Sequence, residues 1–469
     1  MMCSKTVQKS EHGNDNSFSG EEPLCDNKQR LFKDGNFSQE VLVKSENVYN
    51  NDTLNSKEYK KCFRSPMFIH KHPLDLKAVG VSFQSDEHWE FIDPNSELPA
   101  DCSNDQYLQV VTSVINSGVP NYQGCKVELK SNLNIPLWRD KLKDYRDKHV
   151  VNLMQYDFPL GIRDREMLQR TQIKNHSTAL EFSEDVEKYI QKEVKERALL
   201  GPFRVPPHEA YHVSPLLSRP KENNQRRIIV DLSYGDQAVN GNTCRGTYEG
   251  EAFTLQLPTI DHVVAQIKGL RRPCLIKADI ARAFRNILID PRDSIKCGIA
   301  HKGEYFVDRA LVFGAVNGTM IFQRVSDAVK HILNKEGIEV QNYIDDIFAA
   351  AESDRGEEHL KRIGQLIQDL GLPLNRDKVK GPSGELTIMG IDINVRDRTL
   401  AIPGTKMDEI VQICEQFHVR TECSKRDLQS LLGKLLYVSK IVKPARGFLN
   451  RMLNTLRGMP QMGKGKLDE

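Results

Sequence analysis

Two adjacent acids, Asp345 and Asp346, interrupt the apolar run Asn342-Tyr343-Ile344-Asp345-Asp346-Ile347-Phe348-Ala349, and a third, Asp279, ends the run Cys274-Leu275-Ile276-Lys277-Ala278-Asp279. A buried ionised carboxylate is costly unless a cation or hydrogen bonds compensate it. Two side by side also repel each other in a low-dielectric setting. A hairpin tip flanked by Tyr343, Ile344, Ile347 and Phe348 is a natural way to aim both at a shared divalent ion, and Asp279 on a neighbouring strand would complete an oxygen-rich site for two Mg²⁺ ions. Two metals roughly 3.5 to 4 Å apart suit in-line phosphoryl transfer, one activating the attacking hydroxyl and the other neutralising the leaving pyrophosphate. An Asp-Asp pair alone equally suits an exposed turn; the third acid and the elements around it favour chemistry.

Those elements are readable from periodicity. Ser183, followed by Glu184 and Asp185, is a helix start, with Val186, Tyr189, Ile190 and Val194 on one face and an end before Gly201-Pro202. Two short apolar runs, His212 to Leu217 and Arg227 to Leu232, flank a polar turn and predict a hairpin with a basic tip. A helix over 259–270 leads into the strand 274–279. Ile321, Val325, Ala328, Val329 and Ile332 fall at helical spacing ahead of the paired acids. Helices are expected again over 357–370, capped by Gly371, over 406–417, and over 424–438 with Leu428, Leu431, Leu432 and Leu435 on one stripe.

Length and composition set the outer limits. A chain of 469 residues holds more than one structural unit, and 39% hydrophobic with 28% charged residues is ordinary for a globular protein. No apolar run approaches the roughly 18 residues that a membrane helix requires, so no membrane partner is expected. The polar start, residues 1–20, lacks the pattern of a secretory signal, which leads to the expectation of an intracellular, cytoplasmic or nuclear, location. Ten cysteines without a CxxC pair fit free thiols, and Cys414, His418 and Cys423 fit core or solvated positions better than a zinc site. The net charge of +2 says little, but from Arg420 to Glu469 eleven basic residues face four acidic ones, an excess able to track a phosphate backbone.

The motifs in order resemble those of reverse transcriptases. Tyr343-Ile344-Asp345-Asp346 resembles their YxDD motif, and Asp279-Ile280-Ala281-Arg282-Ala283-Phe284 the preceding aspartate motif. The similarity extends over about residues 190 to 450. Gly201-Pro202-Phe203, Val213-Ser214-Pro215, the stretch from Arg227 to Ser233, Phe313-Gly314 and Leu428-Gln429-Ser430-Leu431-Leu432-Gly433-Lys434-Leu435 are most similar to the polymerases of DIRS-type (tyrosine-recombinase) retrotransposons. The resemblance implies that Asp279, Asp345 and Asp346 are the catalytic, metal-binding residues, with Asp279 and Asp345 the more direct ligands of two Mg²⁺, for which Mn²⁺ substitutes. It implies that Arg227 and, more loosely, Lys221 contact the incoming triphosphate, that Phe284 lies beneath the nucleotide sugar and excludes a 2′-hydroxyl, and that Phe313 and Gly314 line the template and nucleotide loop. Lys378 matches the lysine that protonates leaving pyrophosphate, and Met389-Gly390 the primer grip. The chain departs from the retroviral pattern at Phe313, in place of a glutamine, and at Thr319-Met320, in place of a small residue followed by proline.

The expectation is thus an α+β, right-hand polymerase fold: a disordered region 1–75, an accessory unit 76–182, fingers and palm over 183–403, the palm an antiparallel sheet packed on helices, and a basic helical thumb or connection over 404–469. The expected activity is RNA-directed DNA polymerisation by a retrotransposon enzyme, with an RNA or DNA template, a primer strand and dNTPs as partners and the oligomeric state open. An RNA-dependent RNA polymerase, disfavoured by Phe284, and a degenerate nucleic-acid-binding retroelement protein are the alternatives. No ribonuclease H domain is expected among the residues after Pro403, which read as helices.

Overall fold

Strand alternation decides where the acids end up. Along Pro273–Asp279, Ile276 and Ala278 point to one face of a sheet and Leu275 to the other. Its antiparallel partner Asp346–Glu352 repeats the pattern, with Ile347 and Ala349 on the first face and Phe348 and Ala350 on the second. The first face packs on the helices Gly318–Lys335 and Gly356–Asp369 through Ile321, Phe322, Val325, Val329, Ile363 and Ile367. The second packs on the helix Ile260–Lys268 and on Ile388, Ile391 and Ile393. With both faces covered by apolar side chains, a carboxylate survives only where the strands run out, and Asp279 and Asp346 occupy those ends.

The computed structural model describes residues 102–116, 128–166, 168, 173–221, 225–248 and 250–460, together with the strand Lys464–Lys466 and the backbone of the short strands Ser65–Pro66, Gly80–Ser82 and Glu97–Leu98. Apart from Ser65–Pro66, the disordered region expected over 1–75 lies outside the described residues. The class is α+β, as expected. The central antiparallel sheet runs in the order Gln341–Tyr343, Asp346–Glu352, Pro273–Asp279, Lys380–Ser383. A second sheet orders Ser65–Pro66, Thr399–Ala401, Ile391–Asn394 and Glu385–Ile388. A third orders Gly298–His301, Glu304–Asp308 and Leu199–Phe203. The hairpin pairs Leu216–Pro220 with Arg226–Val230, in place of the slightly earlier first arm that the sequence suggests. Helices Gly404–His418, Lys425–Val438 and Ala445–Gly458 follow, the second opened by a Ser424–Asp427 capping box. Among the described residues no helix is long and apolar enough to cross a membrane.

The strand Leu199–Phe203 departs from expectation, because Gly201-Pro202 reads as a break. It sits at the edge of its sheet, where a proline's missing N–H costs no ladder hydrogen bond. The stretch expected as an accessory unit also contributes directly to the main core: Leu133, Trp138, Leu153, Phe158 and Ile162 belong to the same apolar cluster as Ile276 and Val329. It is stitched there by Trp138 Nε1 donating to Leu370 O at 2.9 Å and by Asn134 N donating to the same carbonyl at 3.1 Å. Gly371 makes the approach feasible. Its φ of +82° suits glycine, and a Cβ there would stand 2.0 Å from Asn132 O.

Candidate active site

The turn that carries the paired acids is built on a strained residue. Ile344, β-branched, adopts φ +59° between the strands Gln341–Tyr343 and Asp346–Glu352. Such a conformation costs on the order of 1–3 kcal/mol and persists only where its surroundings over-determine it. The buried helix supplies that restraint: Gln323 Oε1 accepts from Ile344 N at 2.9 Å, and Gln323 Nε2 donates to Asp327 Oδ1 at 2.7 Å. Asn342 Nδ2 donates to the same Asp327 oxygen at 2.9 Å and to Ser326 Oγ at 3.0 Å. On the other side Asp345 O accepts from Ile280 N at 3.0 Å, and Asp279 stands directly across the ladder from Asp346. Three acids distant in sequence thereby share one end of one sheet.

Two of the three carboxylates are paired with lysines. Asp279, 2% exposed, accepts from Asn375 Nδ2 at 3.0 Å and from Lys378 Nζ at 2.9 Å, while Asp346 accepts from Lys277 Nζ at 2.9 Å. Burial pushes the Asp345 carboxyl above its ordinary range, and the charges of Asp279 and Asp346 push it further; burial likewise raises Asp346, against the pull of Lys277. The hydrogen bond to Asp279 holds Lys378 protonated above its usual range.

Crowded carboxylates whose ionised forms are disfavoured would gain from a divalent cation, and an all-oxygen donor set suits Mg²⁺ or Mn²⁺. The donor chemistry fits such ions. The cage is not ready-made, however: among the described residues no group of three or more His, Cys, Asp or Glu side chains is already arranged to hold a metal. The backbones of Asp279, Asp345 and Asp346 are adjacent, but the side chains of Asp279 and Asp346 turn to their lysines, and a cation must compete with these.

Further along the segment that follows Asp279, Phe284 packs at a tilt against Phe313, centroid to centroid 4.9 Å, and Phe322, 5.6 Å. Phe313 remains 54% exposed, and Gly314 takes φ +96°, with its carbonyl accepting from Asn240 Nδ2 at 2.8 Å. Phe284, Phe313 and Gly314 therefore form one surface. Arg285, the residue after Phe284, bridges Glu193 and Asp308 and anchors the segment that follows Asp279.

Arg227 is exposed on the hairpin, opposite Arg219, while its neighbour Arg226 turns inward onto the Phe182 ring and donates to Ser218 Oγ. Lys221 is exposed at the tip, its N–H donating to Gln225 O. Met389 and Gly390, at φ +52° and +77°, form the two-residue turn between Glu385–Ile388 and Ile391–Asn394, where Tyr437 donates its hydroxyl to Gly390 O. Lys277, Asn375, Gln323, Asn342 and Tyr437 were not singled out by the sequence. A signal existed for two of them: Lys277 alternates with Asp279 in an apolar strand, and Gln323 sits inside an apolar helical stretch.

Among solved structures the chain is similar to the foamy viral protease-reverse transcriptase in complex with RNA/DNA hybrid, at 17% identity, with a TM-score of 0.47 over 77% of this chain and 44% of that one. The foamy viral protease-reverse transcriptase in complex with dsDNA gives 18% identity and a TM-score of 0.43 over 77% and 72%. The chain spans less than half the length of the first of these. No curated protein matches it. Residues 219–393, which include Asp279, Asp345 and Asp346, match the family model described as Reverse transcriptase (RNA-dependent DNA polymerase), so this stretch carries a reverse transcriptase domain.

Proposed function

We propose that this chain is an RNA-directed DNA polymerase of a retrotransposon, of the DIRS type, working inside the cell on a primed RNA or DNA template. The observation that carries the reading is the ladder register: Asp279 pairs with Asp346, and Asp345 sits in the adjoining turn, at the open end of a sheet whose two faces are sealed. Two divalent cations bound by these acids would activate the primer 3′-hydroxyl and neutralise the departing pyrophosphate. Asp279 and Asp345 would be the principal ligands, with Asp346 assisting through the negative charge it adds beside them. Lys378, kept protonated beside Asp279, carries the proton the leaving group takes up. Arg227 and Lys221, exposed on the hairpin of the fingers, bind the triphosphate of the dNTP. Gly314 admits the template and nucleotide, Met389 and Gly390 position the primer, and the basic helices after residue 403 form the thumb or connection.

Phe284 supplies the choice of sugar. Packed against Phe313 and Phe322, its ring is the group that would meet a 2′-hydroxyl. Primer extension on an RNA template with dNTPs and then rNTPs tests this: dNTPs should be used and rNTPs rejected. Phe284→Val should raise rNTP use relative to dNTP use by roughly tenfold or more, ~1.4 kcal/mol of lost discrimination. Preferential rNTP incorporation by the wild type would instead make the chain an RNA polymerase, and template binding without incorporation would leave it a binding protein.

A further inference from the structure

Position 277 is where a buried strand carries an ammonium without a structural need for one. Alternation places Lys277 on the face that Leu275 and Phe348 use to contact the apolar cluster, and a hydrocarbon side chain would serve that packing better. Its side chain is 17% exposed and its head reaches diagonally across the ladder to Asp346 Oδ2 at 2.9 Å. Lys378, the other lysine at the site, differs in kind: its side chain is 58% exposed and it stands on a short turn, Arg376–Lys378, where it can swing away. Lys277 is fixed by a strand paired on both sides, with Phe348 and Lys380 as its neighbours. Three carboxylates therefore face one displaceable and one permanent ammonium.

We infer that Lys277 is a resident counter-cation that withholds Asp346 from divalent metal, so that the chain's own cation site is made by Asp279 and Asp345 once Lys378 is displaced. Lys277 is a positioning residue on this account: it fixes the Asp346 carboxylate beside the turn and sets the net charge the cation meets. The inference rests on the proposed polymerase reading.

Mn²⁺ titration of the full-length chain, free of nucleic acid and followed by calorimetry, tests it without recourse to activity. Lys277→Met frees Asp346 and should tighten Mn²⁺ binding about tenfold (~1.4 kcal/mol). Lys277→Gln, which keeps a polar head but no charge, should shift it in the same direction, and serves if the Met variant does not fold. Lys277→Arg can remake the ion pair and should bind as wild type. Lys380→Gln, which removes a nearby positive charge that pairs with no carboxylate among the described residues, should change the constant less than twofold. The inference is overturned if Lys277→Met and Lys277→Gln bind Mn²⁺ as wild type, or if Lys380→Gln tightens binding as much as they do. Asp279→Asn separates the two levels: if it abolishes binding while the Lys277 variants are silent, only the role of Lys277 falls, whereas wild-type binding in Asp279→Asn removes the cation site itself.

Discussion

Asp279→Asn should reduce primer extension by at least about a thousandfold, ~4 kcal/mol of transition-state stabilisation, while duplex binding stays within about twofold. The substitution is nearly isosteric, so the contact with Asn375 and the ladder to Asp346 can survive, but the charge that a divalent cation would use is gone. Single-turnover extension measured beside a gel shift of the same primed template checks it. A parallel fall of both quantities would mean the strand end had unfolded, and extension at the wild-type rate would take Asp279 out of the chemistry.

The second large effect concerns stability. Arg324 is 1% exposed on the helix Gly318–Lys335 and forks onto Asp147, donating from Nη2 to Oδ1 at 2.9 Å and from Nε to Oδ2. Asp147 also accepts from the N–H groups of His149 and Val150. Arg324→Met should therefore destabilise the protein by about 3–5 kcal/mol, the range for removing one partner of a buried pair and leaving the other charge uncompensated. Urea unfolding measures the loss, and Arg324→Met combined with Asp147→Leu should recover a good part of it; a loss under about 1 kcal/mol in the single variant would mean that Asp147 finds water or another donor. Burial alone would push the Asp147 carboxyl up, and Arg324 more than offsets that, holding it below its ordinary range. A carboxyl depressed in the folded state stabilises above its unfolded value, about 4, and that contribution is lost as pH falls through the lower folded value.

What the sequence made legible and what it hid divide along one physical line. Asp279, Asp345 and Asp346 stand out because an acid in an apolar strand contradicts its neighbours, and the helices stand out because their apolar positions repeat at helical spacing. Both signals are local. The partners that finish the site are not: Lys277 meets Asp346 across 69 residues, Lys378 meets Asp279 across 99, and Asn375 reaches it across 96. Nothing in a lysine or an asparagine announces such a pairing. Gln323 and Asn342, polar residues in otherwise apolar segments, are accounted for only when the strained Ile344 turn they hold is seen. The seam between residues 128–162 and the core was hidden for the same reason. Gly371 reads as a helix cap, and its second role, allowing Asn132 to pass over it, depends on a contact from 239 positions earlier in the chain.

The central claim is that Asp279 and Asp345 converge on divalent cations when substrate is present, although lysines hold the site without them. Anomalous scattering from crystals of the chain with primed template, a non-hydrolysable dNTP and Mn²⁺ tests this most directly. Manganese within ligand distance of the Asp279 and Asp345 carboxylates, with the Lys378 ammonium moved off Asp279, is the expected result. Manganese bound elsewhere, with Lys378 still paired to Asp279, would contradict the account.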